Sequence, residues 1–353
     1  MPIEFVPDGP VKRPRALIFG CAGPCLGSAE ADFFRESDPL GFILFKRNCE
    51  TPEQLTALVK ALRASVGRHD APVLIDQEGG RVVRMGAPYW RVPPAAGAIG
   101  ALAERNWAVG CRAAWLNARL IAADLHQAGI DVCCLPVLDL QYRGASNVVG
   151  DRAFSSNPEL VAQLGRAAAE GLLAGGVLPV IKHMPGHGRA MVDSHDEMPR
   201  VVAGLADLER CDFRPFRRLR DLPIGLSAHI LYINIDDDLP GTLSPKVIAG
   251  IIRNSIGFDG LLLSDDLSMD ALLGSLGERA AAALAAGCDI ALHCNGQIEE
   301  MADIVSKVGE MSGEASRRWI AISDFKNNEK SSNINGLLEE FDNLMKEKLK
   351  HEP

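Results

Sequence analysis

The chain has 353 residues, of which 47% are hydrophobic and 24% charged, and its formal net charge is −9. That length admits one large barrel or two ordinary domains, and the acidic balance argues against nucleic acid or an anionic membrane surface as the main partner. The opening MPIEFVPDGPVKRPR has no apolar signal core and no later run approaches the ~18 apolar residues of a membrane span, so neither a membrane anchor nor export is expected. Nine cysteines without zinc-like CxxC spacing read as reduced thiols of a cytoplasmic protein.

In chain order, short apolar runs alternate with longer stretches of helical periodicity. The runs are RALIFG (15–20), GFILFKRN (41–48), APVLIDQEGG (71–80), DVCCLPVLDL (131–140), GVLPVIKHMPG (176–186), PIGLSAHI (223–230), GLLLSDDLSM (260–269) and DIALHCNG (289–296). They are nearly continuous in hydrophobicity, as parallel strands buried on both faces must be. Between them, TPEQLTALVKALRASV predicts a helix with Thr51 as N-cap, Pro52 at its first position and Gln54 closing a capping box. A single Ala-rich helix is expected from Glu104 to Gln127. ELVAQLGRAAAEGLLA, SPKVIAGIIRNSI and ERAAAALAAG supply others, the last ending at Gly287.

Eight strand–helix units predict a (β/α)8 TIM barrel over residues 1–312, with a doubly wound sheet as the alternative. From 313 to 353 the composition turns polar without a strand-like run, which predicts a surface helical extension and a ragged tail.

Barrel enzymes take their catalytic groups from the C-terminal ends of strands. Here the runs end in Asp76, Asp139, Lys182-His183, His229, Asp265-Asp266 and His293. One strand-end Asp is commonly a helix cap, but six polar endings on one rim point to a site. The segment after the fifth run, from His183 to about Asp207, shows no helix and carries His187 and His195. Connections of that length in a compact barrel are usually functional, and Gly186 and Gly188 suggest backbone freedom at its base.

KHMPGHG followed by DSH, with DQEGGRVVR, GDRAF and LLSDDLSM, strongly resembles the family 3 glycoside hydrolases, in particular the single-domain bacterial β-N-acetylglucosaminidases of peptidoglycan recycling. The likeness runs in order from about residue 15 to 310. It implies a TIM barrel that removes terminal β-linked N-acetylglucosamine from fragments such as N-acetylglucosaminyl-anhydro-N-acetylmuramic acid, with or without peptide, in the cytoplasm. Position by position it implies Asp265 as nucleophile, His195 as acid/base and Asp193 as its partner. Asp76, Arg84, Arg152, Lys182 and His183 match the positions that hold the sugar. Met184 stands where the family usually has Phe.

The chemistry fits the residues. A retaining glycosidase needs a carboxylate below the sugar and an acid/base beside the leaving oxygen, and a histidine of near-neutral pKa can donate and then accept that proton. Asp266, next to Asp265, is expected to be structural, His187 to bond within its loop, and Glu78 to pair with Arg81 in the DQEGGR turn. With aromatics only 5% of the chain, a pocket for one terminal sugar fits better than a long aromatic groove. Three rivals stand beside this reading. One is a metal hydrolase using His183, His187, His195 and Asp193. Another is a sugar sensor without catalysis. The third is a phosphorylase, since a neutral histidine repels phosphate less than a carboxylate does. Neither metal nor cofactor is expected, and the partner is a small amino-sugar substrate acted on by a monomer or weak oligomer.

Overall fold

The computed structural model describes residues 13–192, 198–269, 272–325 and 333–349. Its strands in chain order are β1 (Arg15–Gly20), β2 (Pro39–Leu44), β3 (Val73–Ile75), β4 (Val132–Cys133), β5 (Leu178–Met184), β6 (Arg200–Val201), β7 (Ile224–Ser227), β8 (Leu231–Tyr232), β9 (Leu261–Asp266) and β10 (Ile290–His293). Eight close into a barrel in the order β1-β10-β9-β7-β5-β4-β3-β2, every neighbour parallel. Each of the eight predicted runs supplies one barrel strand. The reason is visible in burial: β2 and β5 are buried along their whole length, because helices cover the outside while side chains fill the inside.

Two register shifts fall at chemically important positions. Between β9 and β10, Leu263 pairs with Ile290 and Asp266 with Leu292, so three steps on β9 face two on β10. Between β5 and β7, Ile181 pairs with Gly225 and Met184 with Ser227, again three steps against two. The extra residues lie across Ser264-Asp265 and Lys182-His183, and such bulges re-aim side chains beside active sites.

The helices are mostly as expected, with corrections. Thr51 caps Pro52–Ser65 by accepting from Gln54 N, but the Gln54 side chain accepts from Glu50 N instead of closing the box on Thr51. The helix expected over 104–127 starts at Trp107 and runs to Ala128, and a further helix, Ala96–Arg105, precedes it. The break is at Asn106, whose extended backbone and side-chain bond to Val109 N start a new helix. The segment Lys246–Ile256 winds as a π-type helix, and Gly287 ends Leu276–Ala286 in a left-handed conformation. The two-residue strands β6 and β8 pair in parallel above the barrel, an addition their sequence did not announce.

The polar C-terminal extension forms helices Gly313–Ala321 and Ile334–Leu349. The second is tied to the barrel: Phe341 is buried, the Arg91 guanidinium sits 5.4 Å over its ring, and Arg112 makes two 2.7 Å bonds to Glu340. No helix among the described residues is long and apolar enough to cross a membrane, and all nine cysteines are free.

Candidate active site

At the C-terminal mouth of the barrel lies a pocket of about 240 Å³. It is lined by Asp76, Glu78, Arg84, Arg152, Lys182, His183, His187 and Asp265, with an apolar wall that includes Phe45, Leu226, Met269 and Leu292. Five of the expected sugar-binding residues and the expected nucleophile therefore share one cavity. Its volume falls below the ~300–1,000 Å³ of drug-sized sites and suits a single sugar ring. His195 and Asp193 lie outside the described residues.

One wall is a chain of alternating charges. Arg84 Nη2 reaches Asp76 at 3.3 Å, and Lys182 Nζ donates to Asp76 at 2.8 Å and pairs with Glu78 at 2.6 Å. Arg152 grips Glu78 with two 2.8 Å bonds. The expected Glu78–Arg81 pair does not form. Arg81 bonds Asp151 and the carbonyls of residues 147–149 instead, because the turn at Gly79 and Gly80, both at positive φ, sends the two side chains apart. A Cβ on Gly79 would stand 2.2 Å from the Pro94 carbonyl, so the turn requires glycine.

This wall fixes its own protonation. Burial alone would raise Asp76 and Glu78, but Lys182 with Arg84 holds Asp76 well below the carboxylate range, and Lys182 with Arg152 brings Glu78 to about 2. Burial would lower Lys182, yet the two carboxylates push it above its ordinary value. Asp76, Glu78, Lys182 and Arg152 stay charged, and Lys182 spends two of its three N–H donors. The buried Arg84 Nε has no acceptor among the described residues.

Beside this wall, His183 donates its backbone N and its Nδ1 to the buried Asp139, the latter at 2.6 Å. Asp139 also accepts from His187 N at 2.6 Å. An ionised Asp139 accepts only, which makes Nδ1 the protonated nitrogen and leaves His183 Nε2 for other work. His187 stacks edge-on to His183 with ring centroids 5.5 Å apart. Burial and the neighbouring His183 lower its pKa to about 4, so at neutral pH it is uncharged. Gly188 gives close approach more than freedom, since a Cβ there would lie 2.1 Å from the Leu140 carbonyl.

Asp265 is different from every other pocket carboxylate. Among the described residues its one hydrogen bond comes from the next backbone N, Asp266, at 2.9 Å, and it has no ion-pair partner. Burial would raise its pKa, but His229, His183, that N–H and Lys182 together lower it, so it is an anion. Asp266 is structural, as expected: it accepts from Ser268 N and Oγ and from Cys294 N.

Beneath Asp265, buried His229 contacts Thr242 Oγ1 at 2.8 Å through Nδ1 and the Asp266 carbonyl at 2.9 Å through Nε2. The remaining strand-end histidine, His293, is not part of the pocket lining. It packs on Phe19 and pairs with Glu300. The lining also holds two thiols to which the sequence assigned no role, Cys134 and Cys294. Burial holds both thiols well above the ordinary value, so neither is a nucleophile.

For the metal-hydrolase rival, His183 Nδ1 is already committed to Asp139. Among the described residues, three ligand atoms come together only at Asp236–Asp238, away from the pocket lining.

The family model for the glycosyl hydrolase family 3 N-terminal domain matches residues 33–320. A β-hexosaminidase of Alkalilimnicola ehrlichii is 42% identical over 283 residues, which is 79% of this chain and 80% of that protein. The structure is similar to that of NagZ from Neisseria gonorrhoeae in complex with N-trifluoroacetyl-D-glucosamine, with TM-score 0.84 and 30% identity over 96% of this chain and 98% of that one. It is also similar to a family 3 β-N-acetylglucosaminidase from Paenibacillus, with TM-score 0.83 and 27% identity over 93% of this chain and 66% of that one. With its barrel closed and a charged, sugar-sized pocket at its mouth, the chain belongs to glycosyl hydrolase family 3 and is a glycoside hydrolase.

Proposed function

We propose that the protein is a retaining exo-β-N-acetylglucosaminidase that removes non-reducing terminal N-acetylglucosamine from peptidoglycan fragments in the cytoplasm. The observation that carries this is Asp265: a half-buried, ionised carboxylate in a sugar-sized pocket with no cation of its own among the described residues. Such a group is held for a partner that arrives with the substrate, the positive charge developing at an anomeric carbon. Of the named relatives, the Paenibacillus protein is a β-N-acetylglucosaminidase by its name and the Neisseria protein is seen in complex with an N-acylated glucosamine, which supports the choice of sugar. The nine free thiols suit a reducing compartment.

In the first step the Asp265 carboxylate attacks the anomeric carbon while the bond to the leaving oxygen breaks. His195, held by Asp193, gives its proton to that oxygen. In the second step His195 takes a proton from water, the resulting oxygen nucleophile attacks the same carbon, and Asp265 is released. Asp76, Lys182, Arg84 and Arg152 hold the ring. The third Lys182 N–H and the spare Arg84 Nε–H are donors for hydroxyl or acetamido oxygens. A sugar lacking the matching group leaves these charges unsatisfied, which makes the pocket selective.

The test is nitrophenol release from 4-nitrophenyl N-acetyl-β-glucosaminide by wild type and Asp265→Asn. Activity in wild type and near-complete loss in the variant is expected. Equal activity in both sinks the nucleophile assignment. A sugar 1-phosphate as the main product in phosphate buffer would replace hydrolysis with phosphorolysis.

A further inference from the structure

The parallel ladder between β7 and β9 stops short of Asp265. Its last main-chain pair is Leu226 with Leu263, and β9 runs on to Asp266. As far beyond Leu226 as Asp266 is beyond Leu263 stands His229, buried and outside the pocket lining. Its ring Nε2 lies 2.9 Å from the Asp266 carbonyl. A carbonyl oxygen only accepts, so Nε2 carries the hydrogen and donates it. Where the two strands part to open the mouth, a side chain takes over from the backbone ladder.

The ring is itself held. Nδ1 meets Thr242 Oγ1 at 2.8 Å, and that hydroxyl lies 2.7 Å from Ser227 Oγ. All three side chains are fully buried. Thr242 sits in the 3-10 turn Gly241–Leu243, whose Gly241 N donates to the Ile230 carbonyl at 2.8 Å. A histidine that only filled space would need none of this. An aliphatic side chain fills the same volume without desolvating three polar groups, whereas a satisfied buried network rigidifies what it touches.

That rigidity reaches one peptide unit. On the other side of β9, Leu267 N donates to the Leu292 carbonyl of β10 at 3.0 Å, so the Asp266–Leu267 peptide is gripped from both neighbouring strands. The Asp266 side chain is anchored to Ser268 and to Cys294 N. With its carbonyl and side chain fixed, Asp266 has little freedom left for its N–H. That N–H is the 2.9 Å donor to Asp265 Oδ1, the one hydrogen bond of this carboxylate among the described residues.

Resting on the reading given under Proposed function, we infer that His229 is a positioning residue for the nucleophile: through the Asp266 peptide it fixes the N–H that aims the Asp265 carboxylate at the anomeric carbon. Its loss slows the chemical step and leaves sugar binding intact, because Asp76 and Lys182 belong to the β3–β5 side of the pocket.

The experiment measures kcat for 4-nitrophenyl N-acetyl-β-glucosaminide together with competitive inhibition by N-acetylglucosamine. His229→Met fills the site but has no donor. Its kcat should fall roughly 30- to 100-fold while the inhibition constant stays within about twofold of wild type. His229→Gln places an amide nitrogen near the former Nε2 and should recover about tenfold of that loss. Thr242→Val frees the ring without removing Nε2 and should cost about three- to tenfold in kcat; it decides the matter alone if His229→Met does not fold. A wild-type kcat in folded His229→Met or in Thr242→Val overturns the inference. So does a fall in kcat matched by an equal weakening of N-acetylglucosamine binding, or a His229→Gln no faster than His229→Met, since either shows a ring that props the mouth as a whole. A wild type that does not cleave the nitrophenyl substrate, or an Asp265→Asn as active as wild type, is a separate result that removes the underlying reading itself.

Discussion

The two sides of the pocket solve opposite problems. On the β3–β5 side, Arg84, Asp76, Lys182, Glu78 and Arg152 alternate in sign, and each carboxylate touches two cations. On the β9 side, Asp265 has only a backbone N–H among the described residues. Both sides are desolvated, so the contrast is one of compensation. A compensated wall is rigid and keeps its charges across a wide pH range, which suits holding a ring. Asp265 is held ionised by the field of His229, His183 and Lys182, and with no ion pair among the described residues it is open to charge that appears only during reaction.

That contrast makes substitutions on the two sides diverge. Asp265→Asn should lower kcat by about 10⁴-fold or more while changing thermal stability little, because among the described residues it breaks no ion pair. Lys182→Met should instead lower stability. It leaves Asp76 with Arg84 alone and Glu78 with Arg152 alone, at a cost of about 1–3 kcal/mol, readable by urea unfolding. A destabilised Asp265→Asn, or a Lys182→Met as stable as wild type, would erase the distinction.

The hinge between the two sides is Asp139, which holds His183 and His187. Asp139→Leu should cost about 1–3 kcal/mol or more, since three buried N–H donors lose their acceptor. Asp139→Asn keeps an acceptor oxygen and should cost less, so the difference between the two variants measures the bonds.

Acid sharpens the same picture. His187 has a folded pKa of about 4 against an ordinary 6.5. As pH falls below 6.5 the unfolded chain takes the proton first. The stability is present above that value and is lost down to about 4, by at most roughly 3 kcal/mol. Glu78, lowered to about 2, gives stability that is present above its ordinary value and is lost as pH falls toward 2. Unfolding curves at pH 7 and 5 should therefore differ for wild type and converge for His187→Asn. The smallest effect is expected on the surface: Arg112→Gln breaks the exposed Glu340 pair and should cost under ~1 kcal/mol, with no change in activity.

What the sequence determined by itself was the barrel and the place of its site. Continuous apolar runs must be buried on both faces, and alternation with helices leaves little but a parallel barrel. Polar residues at the ends of those runs could only meet at one rim, and the order of KHMPGHG, DSH and SDD carried the family. The sequence also predicted that Asp266, next to Asp265, is structural.

What it could not carry were partners chosen across long separations. Glu78 looked toward Arg81, three residues away, but found Arg152, 74 residues away, because backbone direction at Gly79-Gly80 decides pairing and spacing does not. Asp139 was visible as a strand end, yet its grip on His183 and His187 depends on two loops meeting. The break at Asn106 hid inside an Ala-rich stretch whose propensity alone runs straight through it. The rim strands β6 and β8 are two residues each, too short for any period to show. The bulges across Lys182-His183 and Ser264-Asp265 are set by register against neighbouring strands. That register exists only once the barrel has closed, and with it the pocket that sets a lone aspartate opposite a wall of paired charge.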